Sequence, residues 1–181
     1  MPTALQVVDA TKKWIEKVVI ACNFCPFAAK VVKQQTVHYQ VETSVVAATC
    51  LAALEAEFLR LDGDETIETL FLIFPNGFAR FADYLLLVQQ AERLLKKKGY
   101  TGVYQLASFH PLYLFAGSTE TDAANYTNRS VYPMLHLLRE SSIDAALANY
   151  PNPSAIPHRN IAFAKEKGVV YMRMLRESCS M

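Results

Sequence analysis

The run Thr69-Leu70-Phe71-Leu72-Ile73-Phe74, stopped by Pro75-Asn76-Gly77, decides the fold. Six uncharged residues rich in branched and aromatic side chains, closed by a turn tripeptide, read as a strand. Its continuous apolarity, without period-two alternation, places it inside a sheet and buries it on both faces. The rest of the chain has to supply the other strands and the helices that cover them.

Upstream of this run, residues 45–61 read as a helix that Ser44 can cap, with Val46, Leu51, Leu54, Phe58 and Leu61 as core positions. Residues 36–43 alternate: Val37, Tyr39 and Val41 face one way, and His38, Gln40 and Glu42 face solvent. A short helix is expected from Pro26 to Lys33. A longer one is expected over 4–21, striped by Leu5, Val8, Ile15, Val18, Val19 and Cys22.

Downstream, a helix over 80–98 ends in Lys96-Lys97-Lys98 before Gly99, where cations suit the helix dipole and glycine suits the C′ position. Val103–Phe109 and Met134–Arg139 read as strands. Between them, residues 110–133 hold no sustained period. A helix follows from Ser141 or Ser142 through Tyr150, another runs from Pro157 to Gly168, and 169–176 read as helix. The recurrent helix–strand order predicts one α+β domain over 1–181. It is expected to be a two-layer sandwich with a mixed sheet of about four strands and helices packed on it. A ferredoxin-like arrangement is the expected form, and a small three-layer parallel sheet is the alternative.

Composition narrows function. Hydrophobic residues make up 52% of the chain, enough for a core and too many for disorder. Lys and Arg total 18 against 17 Asp and Glu, which argues against a broad phosphate-backbone binding surface, and no nucleic-acid partner is expected. The start Met1-Pro2-Thr3-Ala4-Leu5-Gln6 lacks the pattern of a signal peptide, and no apolar window is long enough to span a membrane. The expectation is a cytoplasmic protein without a membrane partner, its four cysteines reduced.

Several residues carry the chemistry that remains. Cys22-Asn23-Phe24-Cys25 is a C-x-x-C pair without the second pair that a zinc site commonly needs. Cys25, directly before Pro26, is expected at a helix N-terminus, where a thiol gains thiolate character. His110 follows a strand and precedes Pro111. His136 interrupts an apolar strand, where a polar ring needs a partner or a site. Arg129, Arg139 and Arg159 stand at element ends and suit bidentate contacts to an anion. Asn125 and Asn128 lie with Arg129 in the irregular segment. Glycine-rich phosphate loops, H-E-x-x-H and G-x-S-x-G are all missing from the sequence, so no familiar cofactor is implied.

Several strings line up in order with a known family. They are Cys25-Pro26-Phe27-Ala28, Ser108-Phe109-His110-Pro111, Phe115-Ala116-Gly117, the long segment from Asp122 through Glu140, and Ile156-Pro157-His158-Arg159-Asn160-Ile161. The chain resembles a bacterial family known as domain of unknown function 1415, over nearly its whole length. The resemblance implies shared positions at Cys25, His110, His136, Arg129, Arg139 and Arg159, and an aliphatic residue where this chain has Cys22. It implies no activity.

The leading expectation is a small-molecule enzyme or ligand-binding domain for an anionic molecule. His110, with His136 and Cys25, would be catalytic; Arg129, Arg139, Asn125, Asn128 and Arg159 would bind substrate. A metal-dependent enzyme using His110 and His136 is the alternative. A further alternative is a non-catalytic interaction module, in which these side chains hold segment 110–133 against the sheet.

Overall fold

A computed structural model describes residues 1–180. Strands β1 (Val37–Val41), β2 (Thr69–Ile73), β3 (Tyr104–Phe109) and β4 (Met134–Arg139) form one sheet in the order β1-β2-β4-β3. β1 pairs parallel to β2, and β4 pairs antiparallel to both β2 and β3. The first three strands therefore share one direction, and the last is inserted against it between β2 and β3. This confirms the mixed four-stranded α+β sandwich. The connectivity differs from the ferredoxin-like expectation, because α-helical crossovers, not a hairpin, join β1 to β2 and β2 to β3.

The helices are α1 (Ala4–Trp14), α2 (Ala28–Lys33), α3 (Ala47–Gly63), α4 (Phe81–Lys97), α5 (Glu140–Ala148) and α6 (Ile156–Glu177). They cover both faces of the sheet, so a second helical layer joins the single one expected. β2 explains why: all five of its residues are buried, and period-two alternation sends them to opposite sides. Leu70 and Leu72, with Leu135 and Leu137 of β4, pack with Leu54, Phe58 and Leu61 of α3 and Tyr84 and Leu87 of α4. Phe71, Ile73 and Met134 face the opposite core, built with Trp14, Ile15, Val18, Ala164 and Met172.

Local chemistry sets the element ends. Thr3 and Gln6 form a reciprocal capping box at the start of α1. Ser44 stands two residues before the cap: its Oγ accepts from Val46 N–H at 3.1 Å, and Val46 is the N-cap of α3. Gly168 ends the first helical piece as expected: at φ +80° and ψ 159° it leaves the helical region and breaks α6, and the second expected piece follows it. His38 is less exposed than alternation suggests, since its ring lies 3.8 Å from the buried Glu57 carboxylate. Desolvation, with Arg60 nearby, lowers the His38 pKa.

The irregular segment 110–133 is fastened from within. Burial of its main chain demands partners for every peptide group, and its polar side chains provide them. The buried Asn125 carboxamide accepts from Phe115 N–H (3.0 Å) and the Ser118 hydroxyl (2.8 Å), and donates to Thr119 O (2.8 Å). A 3₁₀ turn over Ala123–Thr127 then packs against α6.

Candidate functional site

The first helical stretch does not stay α-helical. From Ile15 to Ile20 it widens into a π-helix, with Ala21 N–H reaching Glu16 O at 3.1 Å. Such widened turns are rare and cluster at functional sites. Here the widened turn contributes Ile15 and Val19, next to Trp14, to the wall of a cavity of about 590 Å³.

The cavity lies between the sheet and two short helices. Phe71, Ala107, Phe109, His136 and Leu138 form its floor. Cys25, Pro26 and Phe27 with α2 form one side, and Ser142, Ile143 and Ala146 of α5 form the other. Neither α2 nor α5 contributes a fully buried residue, because their inward faces look onto open volume and not onto packed side chains. Phe27 and Tyr150 join the two sides edge-to-face at 5.5 Å between ring centroids.

His136 is the polar centre of the floor. Its ring stacks on Phe71, its cross-strand partner, at 3.9 Å and 8°. Its Nε2 lies 2.5 Å from Thr69 Oγ1, which also lies 2.7 Å from Leu137 O. A hydroxyl has one proton, and a carbonyl can only accept, so Thr69 donates to Leu137 O and accepts from His136 Nε2–H. Desolvation against the aromatic floor pushes the His136 pKa down to about 3, so the ring is neutral near pH 7. A ring that resists protonation this strongly is a hydrogen-bonding group more than a general base.

Cys25 lies at the wall, and its thiol is held above the ordinary range. Burial raises its pKa, and hydrogen bonds from Phe27 and Ala28 N–H only partly offset the rise. The helix starts at Ala28 with Phe27 as its N-cap, so Cys25 stands two residues before the cap. All four cysteines are free, and Cys22 and Cys25 form no bridge.

The structure gathers Cys25, His136 and Arg139 of the expected residues along this cavity. Arg139 turns its guanidinium to the other face of the sheet. There it donates to Ile67 O (2.9 Å), Leu61 O (2.6 Å) and Asp64 O (3.0 Å), capping the carbonyl end of α3. Arg159 lies behind the wall: it donates to the Tyr150 hydroxyl (2.8 Å) and Asn23 O (2.6 Å), tying the Cys25 turn to the end of α5.

His110, Asn125, Asn128 and Arg129 lie elsewhere. His110 is fully buried and uses both ring nitrogens. Leu112 N–H donates to Nδ1 (2.9 Å), which leaves Nε2–H to donate to Phe78 O (2.8 Å). That second bond steadies Phe78 in a left-handed conformation at φ +59°. Arg129 donates to Tyr113 O (3.0 Å) and Glu120 O (3.1 Å) and stacks over Tyr126. Asn128 donates to Ser108 O at 3.3 Å. Two nitrogens already engaged make His110 unsuitable as a metal ligand. Among the described residues no group of three His, Cys, Asp or Glu side chains is arranged to hold an ion.

Sequence reasoning missed Thr69, Phe71, Ser142 and the π-turn. A signal existed for Thr69, the one hydroxyl in the apolar run. Its link to His136 depends on strand order, which the sequence does not display.

Among the described residues no helix is long and apolar enough to cross a membrane. Residues 6–174 match a family described as a protein of unknown function, DUF1415. No curated protein and no solved structure matches the chain. The chain belongs to the DUF1415 family.

Proposed function

We propose that this member of the family binds a small, mostly apolar molecule in the cavity between the sheet and helices α2 and α5. The observation that carries this reading is the cavity itself. Its volume of about 590 Å³ falls within the range of pockets that enclose small organic ligands. An apolar wall with a few convergent polar groups, here His136, Thr69 and Cys25, is the common design of such sites.

The reading departs from an anionic ligand. Lys30 and Glu68 offset each other on the cavity lining, and the Arg139 guanidinium is bonded away from it. A neutral His136 and a protonated Cys25 favour binding over acid–base or thiolate chemistry. Free cysteines, three of them buried, support a reducing compartment, and the cytoplasm is the location carried forward.

Trp14, the single tryptophan, lies in the cavity wall and reports on occupancy. Titration with naphthalene is expected to change its emission saturably. Ala146→Phe, which adds a ring at the α5 wall, is expected to abolish the change while leaving the circular dichroism spectrum intact. An emission that naphthalene leaves unchanged in the wild-type protein would defeat the reading.

A further inference from the structure

We infer that the cavity selects a neutral ligand bearing a hydrogen-bond donor, such as a phenolic hydroxyl, and that Thr69 sets this selectivity by fixing which nitrogen of His136 accepts. The inference rests on the binding role proposed above and names the class of molecule bound.

The argument is one of proton counting. Leu137 O accepts the only proton of the Thr69 hydroxyl, so that oxygen can accept from His136 but not donate to it. Nε2 must then carry the ring proton, and in the neutral imidazole Nδ1 carries a lone pair. Among the described residues no hydrogen bond reaches Nδ1, the ring's one bond being that of Nε2. Nor is Nδ1 sealed off: among the described residues, the buried side-chain polar atom without a partner is His38 Nε2. With His136 part of the cavity floor, Nδ1 is left for a donor from the ligand.

Geometry adds a second constraint. The ring lies flat on Phe71 and faces Phe109 at 6.1 Å; a half-turn about Cβ–Cγ would keep the stack but carry Nε2 away from Thr69, so the Thr69 bond holds the orientation. The acceptor is therefore preorganised, and a donor on a flat aromatic ligand meets it at little entropic cost. A carboxylate would bring a lone pair to a lone pair in an apolar site. A group without a donor would leave Nδ1 unpaired. Thr69 acts here as a positioning residue, through His136.

The test has two readouts. In protein labelled with ¹⁵N-histidine, the His136 resonances should show a protonated Nε2 and a bare Nδ1; the opposite tautomer overturns the inference whatever binds. Dissociation constants are then measured by NMR titration for 2-naphthol, 2-methoxynaphthalene and 2-naphthoate, which share one ring system. Naphthol is expected to bind about tenfold tighter than the methyl ether, in keeping with one hydrogen bond in a desolvated site. Thr69→Val should bring that ratio close to one, and Thr69→Ser, which keeps the hydroxyl, should restore it. Equal binding of naphthol and the ether by the wild-type protein overturns the inference but leaves the cavity reading standing, and tightest binding of naphthoate does the same. Failure of all three to bind overturns both. If Thr69→Val does not fold, the wild-type tautomer and the Thr69→Ser ratio still decide.

Discussion

Leu135 and Leu137 on one face of β4 are sealed beneath α3 and α4, whereas His136 and Leu138 on the other face are only half-buried at the edge of an open volume. The same six-residue strand thus has a filled side and an unfilled one. The difference lies in the cover. α3 and α4 have 17 residues each and bring large buried side chains to the sheet. α2 has 6 residues, α5 has 9, and neither buries any. A helix that buries nothing is acting as a wall, and the unfilled face is where a ligand has room.

The sharpest way to break this contrast is truncation on each side. Phe58→Ala on the filled face is expected to cost about 3–5 kcal/mol, as large-to-small changes in tight cores do. Leu138→Ala on the unfilled face should cost only about 1 kcal/mol, because it already lacks neighbours on one side. Both follow from urea unfolding, and equal losses would show that the two faces are packed alike.

Acid separates the faces by a smaller amount. The unfolded His136 titrates near 6.5 and the folded ring near 3, so between those values the unfolded chain takes up a proton that the folded chain refuses. Stability from this group is complete above about pH 6.5 and is lost as pH falls toward 3. His110 is shifted the same way by burial. Asp62 and Asp64 are held low by hydrogen bonds, and their contributions also fade in acid. Comparison with His136→Gln isolates one group: between pH 6 and 4 the wild type should lose about 2 kcal/mol more than the variant. Parallel curves would mean that the ring is solvated.

The smallest expected effect is the most discriminating. Ala146→Leu adds apolar volume to the α5 wall. In a filled core such an addition costs about 1–3 kcal/mol. Here it should be neutral or stabilise by up to about 1 kcal/mol, as cavity-filling substitutions do, while weakening ligand binding. A loss of more than 1 kcal/mol by urea unfolding would show that α5 already packs closely.

Much of the fold is legible in the sequence because its signals are local. The Thr69–Phe74 run declares itself through continuous apolarity closed by a turn, the Met134–Arg139 strand through its apolar residues, and 37–41 through side-chain alternation. Sheet order does not, since the place of β4 depends on contacts between distant segments. The site divides along the same line. His136 is visible because a polar ring in an apolar strand needs a reason. His110, Asn125, Asn128 and Arg129 look functional because they crowd an irregular segment, yet such a segment must bond its own main chain, and these side chains do so. Arg139 and Arg159 satisfy exposed carbonyls in the same way. Polar residues in a loop are evidence of chemistry only after the peptide groups around them have been satisfied.

The insertion of β4 has a consequence for how the protein comes into being. β2 and β3 leave the ribosome before β4, and the gap between them is filled by residues 134–139. Until those residues emerge, the nascent chain carries two unpaired strand edges flanking a missing strand, and one of them is the most apolar segment of the sequence. Unsatisfied edges of that kind invite pairing with other chains. The sheet is therefore complete only when the last strand pairs on both of its sides, late in synthesis and through long-range contacts. The strand that carries His136 is also the one that closes the sheet.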